Sequence, residues 1–179
     1  MALGFTLRLF QQFYRGAFPP FPMASPILEQ FRCMPSDFIP SFHMNNARLF
    51  RYGELTRWRI TSQSGLMPYK WRYPIVEQSC RYYKEITPFQ KFVVATEIKI
   101  LDDKWIIYNH RFLQYQDDFK IDGTSSSCAV AESVLLAEIK VRSVIKEASG
   151  KTVRLLETNA MNDFAKLTMS VCYSTKGSS

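Results

Sequence analysis

The sequence predicts an α+β domain in which one long helix packs against an antiparallel β-sheet. Residues 45–64 carry a stripe of apolar and small side chains at helical spacing. Residues 90–101 instead alternate between apolar and polar side chains, which is typical of a strand with one buried face. Asp102-Asp103 then makes a tight turn into a second strand at residues 105–115, so a hairpin is expected. A long helix followed by a meander of strands is a layered α+β arrangement.

The predicted helix, residues 45–64, is amphipathic. The side expected to pack on the sheet consists of Leu49, Tyr52, Gly53, Thr56 and Ile60. Because Gly53 and Thr56 are small, the sheet can approach the helix backbone closely at this point. The opposite, solvent-facing side is expected to carry Arg51, Glu54 and Trp58.

The other elements are mainly extended. In chain order they are a first strand at residues 27–34, an extended run at 72–86, a long strand at 128–146, a short extended return at 151–157 and a terminal helix at 159–172. We therefore expect an N-terminal arm or transit-like segment at 1–26, the main domain at 27–150, and a C-terminal helix with a loose tail at 151–179. A single sheet over one helix leaves an edge strand open, so a dimer is expected.

The cysteines and histidines indicate neither a metal site nor a disulfide framework. The four cysteines are scattered without a C-x-x-C pair, and His43 and His110 lie far apart in the sequence. No cofactor is expected. No run approaches the ~18 to 20 apolar residues that span a bilayer, so no transmembrane segment is expected either.

Charge is the main sequence evidence on partners and location. The formal net charge is +7, which favours anionic partners such as nucleic acid, acidic lipid or the phosphates of coenzyme A without choosing among them. Residues 1–28 contain Arg8 and Arg15, and the first acid is Glu29. An acid-poor, Arg-containing, amphipathic start is typical of mitochondrial transit peptides. We expect a mitochondrial location, with a cytoplasmic protein carrying an aromatic N-terminal arm as the alternative.

One segment carries a family resemblance. Residues 35–58 read PSDFIPSFHMNNARLFRYGELTRW, with the block His43-Met44-Asn45-Asn46 just before the amphipathic helix. This pattern resembles that of the 4-hydroxybenzoyl-CoA thioesterase-like proteins, and the later stretches 81–84, 89–92 and 101–105 resemble a eukaryotic thioesterase-like branch. The resemblance covers about residues 27–146. It implies the hotdog fold, in which an antiparallel sheet wraps a long central helix.

The resemblance also implies where chemistry would occur. In the resembled enzymes the thioester carbonyl sits at the N-terminus of the long helix, where a backbone N–H and the helix dipole polarise its oxygen. Asn45 and Asn46 are therefore substrate-binding candidates, with helix capping as the alternative role for both. In many relatives a carboxylate four residues before the motif histidine attacks the carbonyl carbon or activates a water molecule that does so. Here Ile39 occupies that position, and Asp37 lies two residues, or roughly 6 to 7 Å, further back.

Three residues are candidates for catalysis, each with a structural alternative. Asp37 would need a local rearrangement to reach the carbonyl. Glu54 fits a structural ion pair with the neighbouring Arg51 and Arg57, and His43 fits a packing or hydrogen-bonding role.

Two classes of function follow from the sequence. The first is a catalytically degenerate accessory subunit of a larger, mitochondrial assembly, paired with an identical or different hotdog chain. The second is an active acyl-CoA thioesterase that uses Asp37, Glu54 or His43. A third is a module that binds acyl-CoA or an acyl-carrier domain without hydrolysis.

Overall fold

The computed structural model of the chain describes residues 26–63, 71–101, 104–116 and 133–154. Its elements are strand β1 (Ile27–Arg32), the one-turn helix α1 (Pro35–Phe38), the long helix α2 (Asn46–Gln63), and strands β2 (Ile75–Tyr82), β3 (Lys91–Leu101), β4 (Trp105–Gln114) and β5 (Leu135–Val144). The predicted helix and hairpin are confirmed within a residue or two at each end. The predicted arm, the terminal helix at 159–172 and the tail lie outside the described residues.

The five strands form one antiparallel sheet in the order β1-β3-β4-β5-β2. Chain order suggested a meander in which β2 lies beside β3, and this detail is wrong. Strand β1 occupies that edge, with Phe31 opposite Phe92, and β2 pairs with β5, with Cys80 opposite Ile139. The physical reason is the length of α2, whose 18 residues span about 27 Å. The chain leaves one edge of the sheet, crosses its face as a helix and returns at the other edge.

The core lies between α2 and one face of the sheet. All five residues of the predicted helical stripe are buried, and Leu55 is buried beside them. Tyr52 packs edge-on against Phe92, with ring centres 5.1 Å apart. A Cβ at Gly53 would lie 3.2 Å from Cδ2 of His110 on β4, so the expected close approach of sheet and helix is present.

The end of the described region closes the domain. Thr152 forms an isolated bridge with Lys146, and the buried Val153 donates its N–H to the carbonyl of Ile145. The predicted short return after the turn at 148–150 is therefore present as far as Arg154. Cys33 is buried and Cys80 is half-buried, and both are free thiols.

Candidate functional site

The loop from β1 to α2 is organised around Asp37. This residue is only 3% exposed, and its Oδ2 accepts hydrogen bonds from the Tyr52 hydroxyl at 2.6 Å and from the Met34 N–H at 2.8 Å. The Asp37 carbonyl accepts the N–H of Asn45 at 2.8 Å. The carboxylate thus fastens the one-turn helix α1 to the middle of α2, and its oxygen is occupied by donors from the protein itself.

Replacing Asp37 with Ala is expected to lower the free energy of unfolding by about 3 kcal/mol, because two hydrogen bonds to a buried carboxylate are lost. In a Tyr52→Phe background the same change should cost about 1 to 2 kcal/mol less, since one of those bonds is already absent. Urea denaturation of the four proteins measures the coupling. Ser36→Ala, which removes a long 3.4 Å bond to the other carboxylate oxygen, is the matched control. Equal losses in both backgrounds would contradict the Tyr52–Asp37 bond.

Several side chains between Asp37 and Asn45 are exposed to solvent. Ile39, at the position where the family resemblance expects an acid, is 65% exposed, and Phe42 is 90% exposed. His43 is also exposed, whereas Met44 is buried and donates its N–H to the carbonyl of Ile86 at 2.8 Å. His43 is therefore free to meet solvent or a partner, and its proposed catalytic role stays a prediction.

Asn45 is the N-cap of α2. Its Oδ1 accepts the N–H of Ala47 at 2.9 Å, and its carbonyl accepts the N–H of Arg48 at 2.8 Å. The capping interpretation is therefore confirmed for this residue, which is exposed. Asn46 is the first helical residue and is also exposed. A substrate contact by either asparagine stays a prediction.

Glu54 does not share the solvent-facing side with Arg51. Arg51 is exposed as predicted, but Glu54 and Trp58 are half-buried and line a cavity of about 320 Å³. The cavity lies between the second half of α2 and the entry to β2. It is lined by Glu54, Arg57, Trp58, Thr61, Trp71, Arg72, Tyr73, Ile75, Tyr108 and Ser143.

The candidates consequently fall into two places. Asp37, His43, Asn45 and Asn46 surround the head of α2. Glu54 comes eight residues after Asn46, which is about 12 Å along the helix axis. Within one chain, a carbonyl held at the head of α2 would therefore be out of reach of the Glu54 carboxylate.

The structure reveals a buried network of polar side chains that the sequence did not predict. His110 is completely buried on β4. Its Nε2 lies 3.2 Å from Nη1 of Arg57, and its Nδ1 lies 2.8 Å from the Thr96 hydroxyl. An arginine only donates, so Nε2 must accept and Nδ1 must carry the proton that is donated to Thr96. His110 lies on the same buried face of its strand as Tyr108 and Phe112, two residues away on either side. This spacing was the sequence signal that could have predicted its burial.

Burial and neighbouring charge determine the protonation of His110 and Arg57. Burial, reinforced by the charge of Arg57, lowers the pKa of His110 to about 3, so its ring is neutral near pH 7. Burial also lowers the pKa of Arg57, while its interactions with Tyr108 and Glu54 raise it. Glu54 thus acts on Arg57 only through its charge, because the expected ion pair within 4.0 Å is not among those of the described residues. Arg57 is a cation near pH 7, because a guanidinium is not deprotonated in proteins.

The described residues contain no group of three metal-ligating side chains. Among the same residues, no helix is long and apolar enough to cross a membrane.

A long helix on one face of a five-stranded antiparallel sheet, with the His43-Met44-Asn45-Asn46 block at the helix head, defines a hotdog domain. The model of the Thioesterase-like superfamily matches residues 35–155. The chain belongs to this superfamily.

Individual relatives are distant. Over 90 residues the chain is 30% identical to Protein THEM6 of Xenopus laevis, a match that covers 48% of this chain and 44% of that protein. The chain thus matches less than half the length of this curated relative.

Solved structures show the same fold. The probable thioesterase YbaW from Escherichia coli superposes with a TM-score of 0.63 at 14% identity, covering 79% of this chain and 98% of that one. Slr0204, a 1,4-dihydroxy-2-naphthoyl-CoA thioesterase from Synechocystis, superposes with a TM-score of 0.62 at 9% identity, covering 83% and 98%. At these identities the likeness concerns the fold alone.

Proposed function

We propose that this chain is a non-hydrolytic member of the Thioesterase-like superfamily that serves as an accessory hotdog subunit. One observation carries the proposal. The loop between Cys33 and Asn45 contains a single acid, Asp37, and its carboxylate is buried and already accepts hydrogen bonds from Tyr52 and Met34. Releasing it toward a thioester would leave both donors to find other partners, at a cost of about 1 to 3 kcal/mol for each.

The residue at the expected acid position supports the same proposal. Ile39 is exposed beside the head of α2 and can neither attack a carbonyl nor accept a proton from water. A positioned acid or base contributes about 10²- to 10⁴-fold to such reactions. Without it, the N–H groups at the helix head would polarise a carbonyl but leave water unactivated.

Hydrolysis of acyl-CoA by the purified chain tests this proposal. With short-, medium- and long-chain acyl-CoAs, thiol release by the wild type is expected to equal the buffer blank. Ile39→Asp should raise it by at least about tenfold, a fraction of what a positioned acid contributes. Ile39→Asn, whose side chain has the shape of aspartate without its charge, should not raise thiol release. Robust wild-type turnover would overturn the proposal, and Asp37→Asn, His43→Gln and Glu54→Gln would then locate the responsible side chain.

An active thioesterase is the second candidate, and one observation favours it. Glu54 lies half-buried in a cavity wall beside Trp58, which is a suitable environment for a catalytic carboxylate. The carbonyl would then have to be held near the middle of α2 rather than at its head. Loss of turnover in Glu54→Gln alone, with Asp37→Asn and His43→Gln unchanged, is the result that this candidate requires.

A partner for the open side of the sheet is part of the proposal. Strand β2 pairs with β5 on one side only, and nearly all its residues are exposed, including Ile75, Val76 and Tyr82. An exposed apolar edge strand is a docking surface for another strand. We infer that β2 pairs with the β2 strand of a second hotdog subunit, either a copy of this chain or a related one.

The proposed setting is a larger mitochondrial assembly. It is supported by the acid-free start of the chain before Glu29 and by the net charge of +7, which suits a partner rich in negative charge. Retained binding of acyl-CoA or of an acyl-carrier domain, without hydrolysis, is compatible with the same subunit.

A further inference from the structure

The cavity beside the second half of α2 has the size and composition of a ligand site. Its volume of about 320 Å³ falls at the lower end of the range for small-molecule pockets. Four aromatic side chains contribute to its wall, namely Trp58, Trp71, Tyr73 and Tyr108. Three charged side chains, Glu54, Arg57 and Arg72, converge on the same space.

Arg57 is the polar anchor of this cavity. It lies half-buried in the wall. Its Nη1 is 3.2 Å from Nε2 of His110, and its guanidinium carbon is 6.0 Å from the centre of the Tyr108 ring. His110 is neutral near pH 7 because its pKa is about 3, so this contact brings no negative charge. No carboxylate of the described residues lies within 4.0 Å of the guanidinium.

The charges around the cavity select the kind of anion. Glu54 attracts Arg57 from the same wall, and Arg72 adds a second positive charge at an exposed position. Among the described lining residues, two arginines against one glutamate leave a net positive charge of one. This balance suits a ligand with a single negative charge, whereas a doubly charged phosphate would also be repelled by Glu54. A planar carboxylate matches the fork of a guanidinium.

The volume and the aromatic wall define the rest of the ligand. At about 30 Å³ per non-hydrogen atom, the share of a molecule in liquid water, the cavity holds on the order of ten such atoms. We propose that it binds a free medium-chain carboxylic acid, with the carboxylate on Arg57 and the aliphatic chain against Trp58, Trp71 and the ring of Tyr73. This site is separate from the head of α2, so it goes beyond the non-hydrolytic role proposed above, and it shares only the Glu54 wall with the second candidate function.

Calorimetric titration of the full chain with octanoate and octan-1-ol at pH 7.5 tests the site. The wild type is expected to bind octanoate at least about tenfold more tightly than the alcohol, as a charge-assisted hydrogen bond implies. Arg57→Met should remove that preference while leaving octanol binding within about twofold. Glu54→Gln should tighten octanoate binding, because a like charge leaves the wall. Arg51→Met, on the exposed side of the same helix, should change neither.

Several outcomes would contradict this binding site. Equal affinity of the wild type for acid and alcohol, or no binding of either, overturns the proposal, as does an Arg57→Met protein that keeps the preference. If circular dichroism shows that Arg57→Met does not fold, the decision rests on Arg57→Lys and Glu54→Gln. Arg57→Lys should keep a weakened preference for the acid, and Glu54→Gln should strengthen it. Unchanged or weaker octanoate binding by Glu54→Gln overturns the site. Acyl-CoA hydrolysis by the wild type would overturn the non-hydrolytic role but would not change the binding results expected here.

Discussion

Acidification from pH 7 to pH 5 is expected to cost the folded protein about 2 kcal/mol through His110 alone. The ring is fully buried and its pKa falls from 6.5 to about 3. Between pH 6.5 and about pH 3 the unfolded chain binds a proton at this residue and the folded chain does not. Stability from this group is therefore fully present above pH 6.5 and declines by about 1.4 kcal/mol for each pH unit from there down to about pH 3.

The surroundings of His110 explain why it resists protonation. Nε2 accepts from the Arg57 guanidinium, and Nδ1–H donates to the Thr96 hydroxyl. A second proton would place an N–H on Nε2 against a cation in a fully buried site. The Tyr108 ring lies parallel to the imidazole at 6.1 Å and stays neutral, because burial raises its pKa to about 12. None of these neighbours offers negative charge to an imidazolium.

Chemical denaturation at pH 7 and pH 5 measures the effect. The wild type should lose about 2 kcal/mol more over this interval than His110→Gln, whose side chain does not titrate. His43→Gln removes the other, exposed histidine and should keep the acid loss of the wild type. The carboxylates are common to all three proteins, so their contribution to the acid loss cancels when the proteins are compared over the same interval. A His110→Gln protein with the same acid loss as the wild type would contradict this account.

The fold could be predicted because its signals are local. The stripe that includes Leu49, Tyr52 and Ile60 required only helical periodicity, and all three are buried. The hairpin of β3 and β4 followed from alternation and a two-residue turn. The position of β2 was not local information, because nothing in residues 75–82 distinguishes pairing with β3 from pairing with β5. That choice depends on where the long helix delivers the chain.

The candidate site could be predicted only in part, for related reasons. The sequence shows that Ile39 replaces an expected acid, but not that Asp37 lies within 2.6 Å of the Tyr52 hydroxyl, since fifteen residues separate them. Glu54 was assigned to solvent because helical periodicity describes one packed face, and the chain around Trp71 covers a second one. The contact of Arg57 with His110 joins a helix to a strand, and no spacing rule identifies it.

The outer edge of β2 leads to the second large expected effect, on assembly. Val76 is 56% exposed and Tyr82 is 49% exposed on a strand whose outer edge pairs with no described strand. In a two-fold dimer of this chain each residue is buried twice, once per copy. Fully burying a large apolar side chain is worth about 1.5 to 3 kcal/mol, so these two positions account for much of such an interface.

The double variant Val76→Lys/Tyr82→Lys is therefore expected to weaken the dimer by at least about a hundredfold, because apolar burial is lost and four lysines enter one interface. Sedimentation velocity at micromolar protein should show the mass of two chains for the wild type and of one chain for the variant. Lysines at the exposed Gln116 and Ser149 add the same charge away from β2 and should leave the dimer intact. A wild type that sediments as one chain would contradict pairing with a copy, and the edge would then require a different hotdog partner, which the native mass of the protein from its source would reveal.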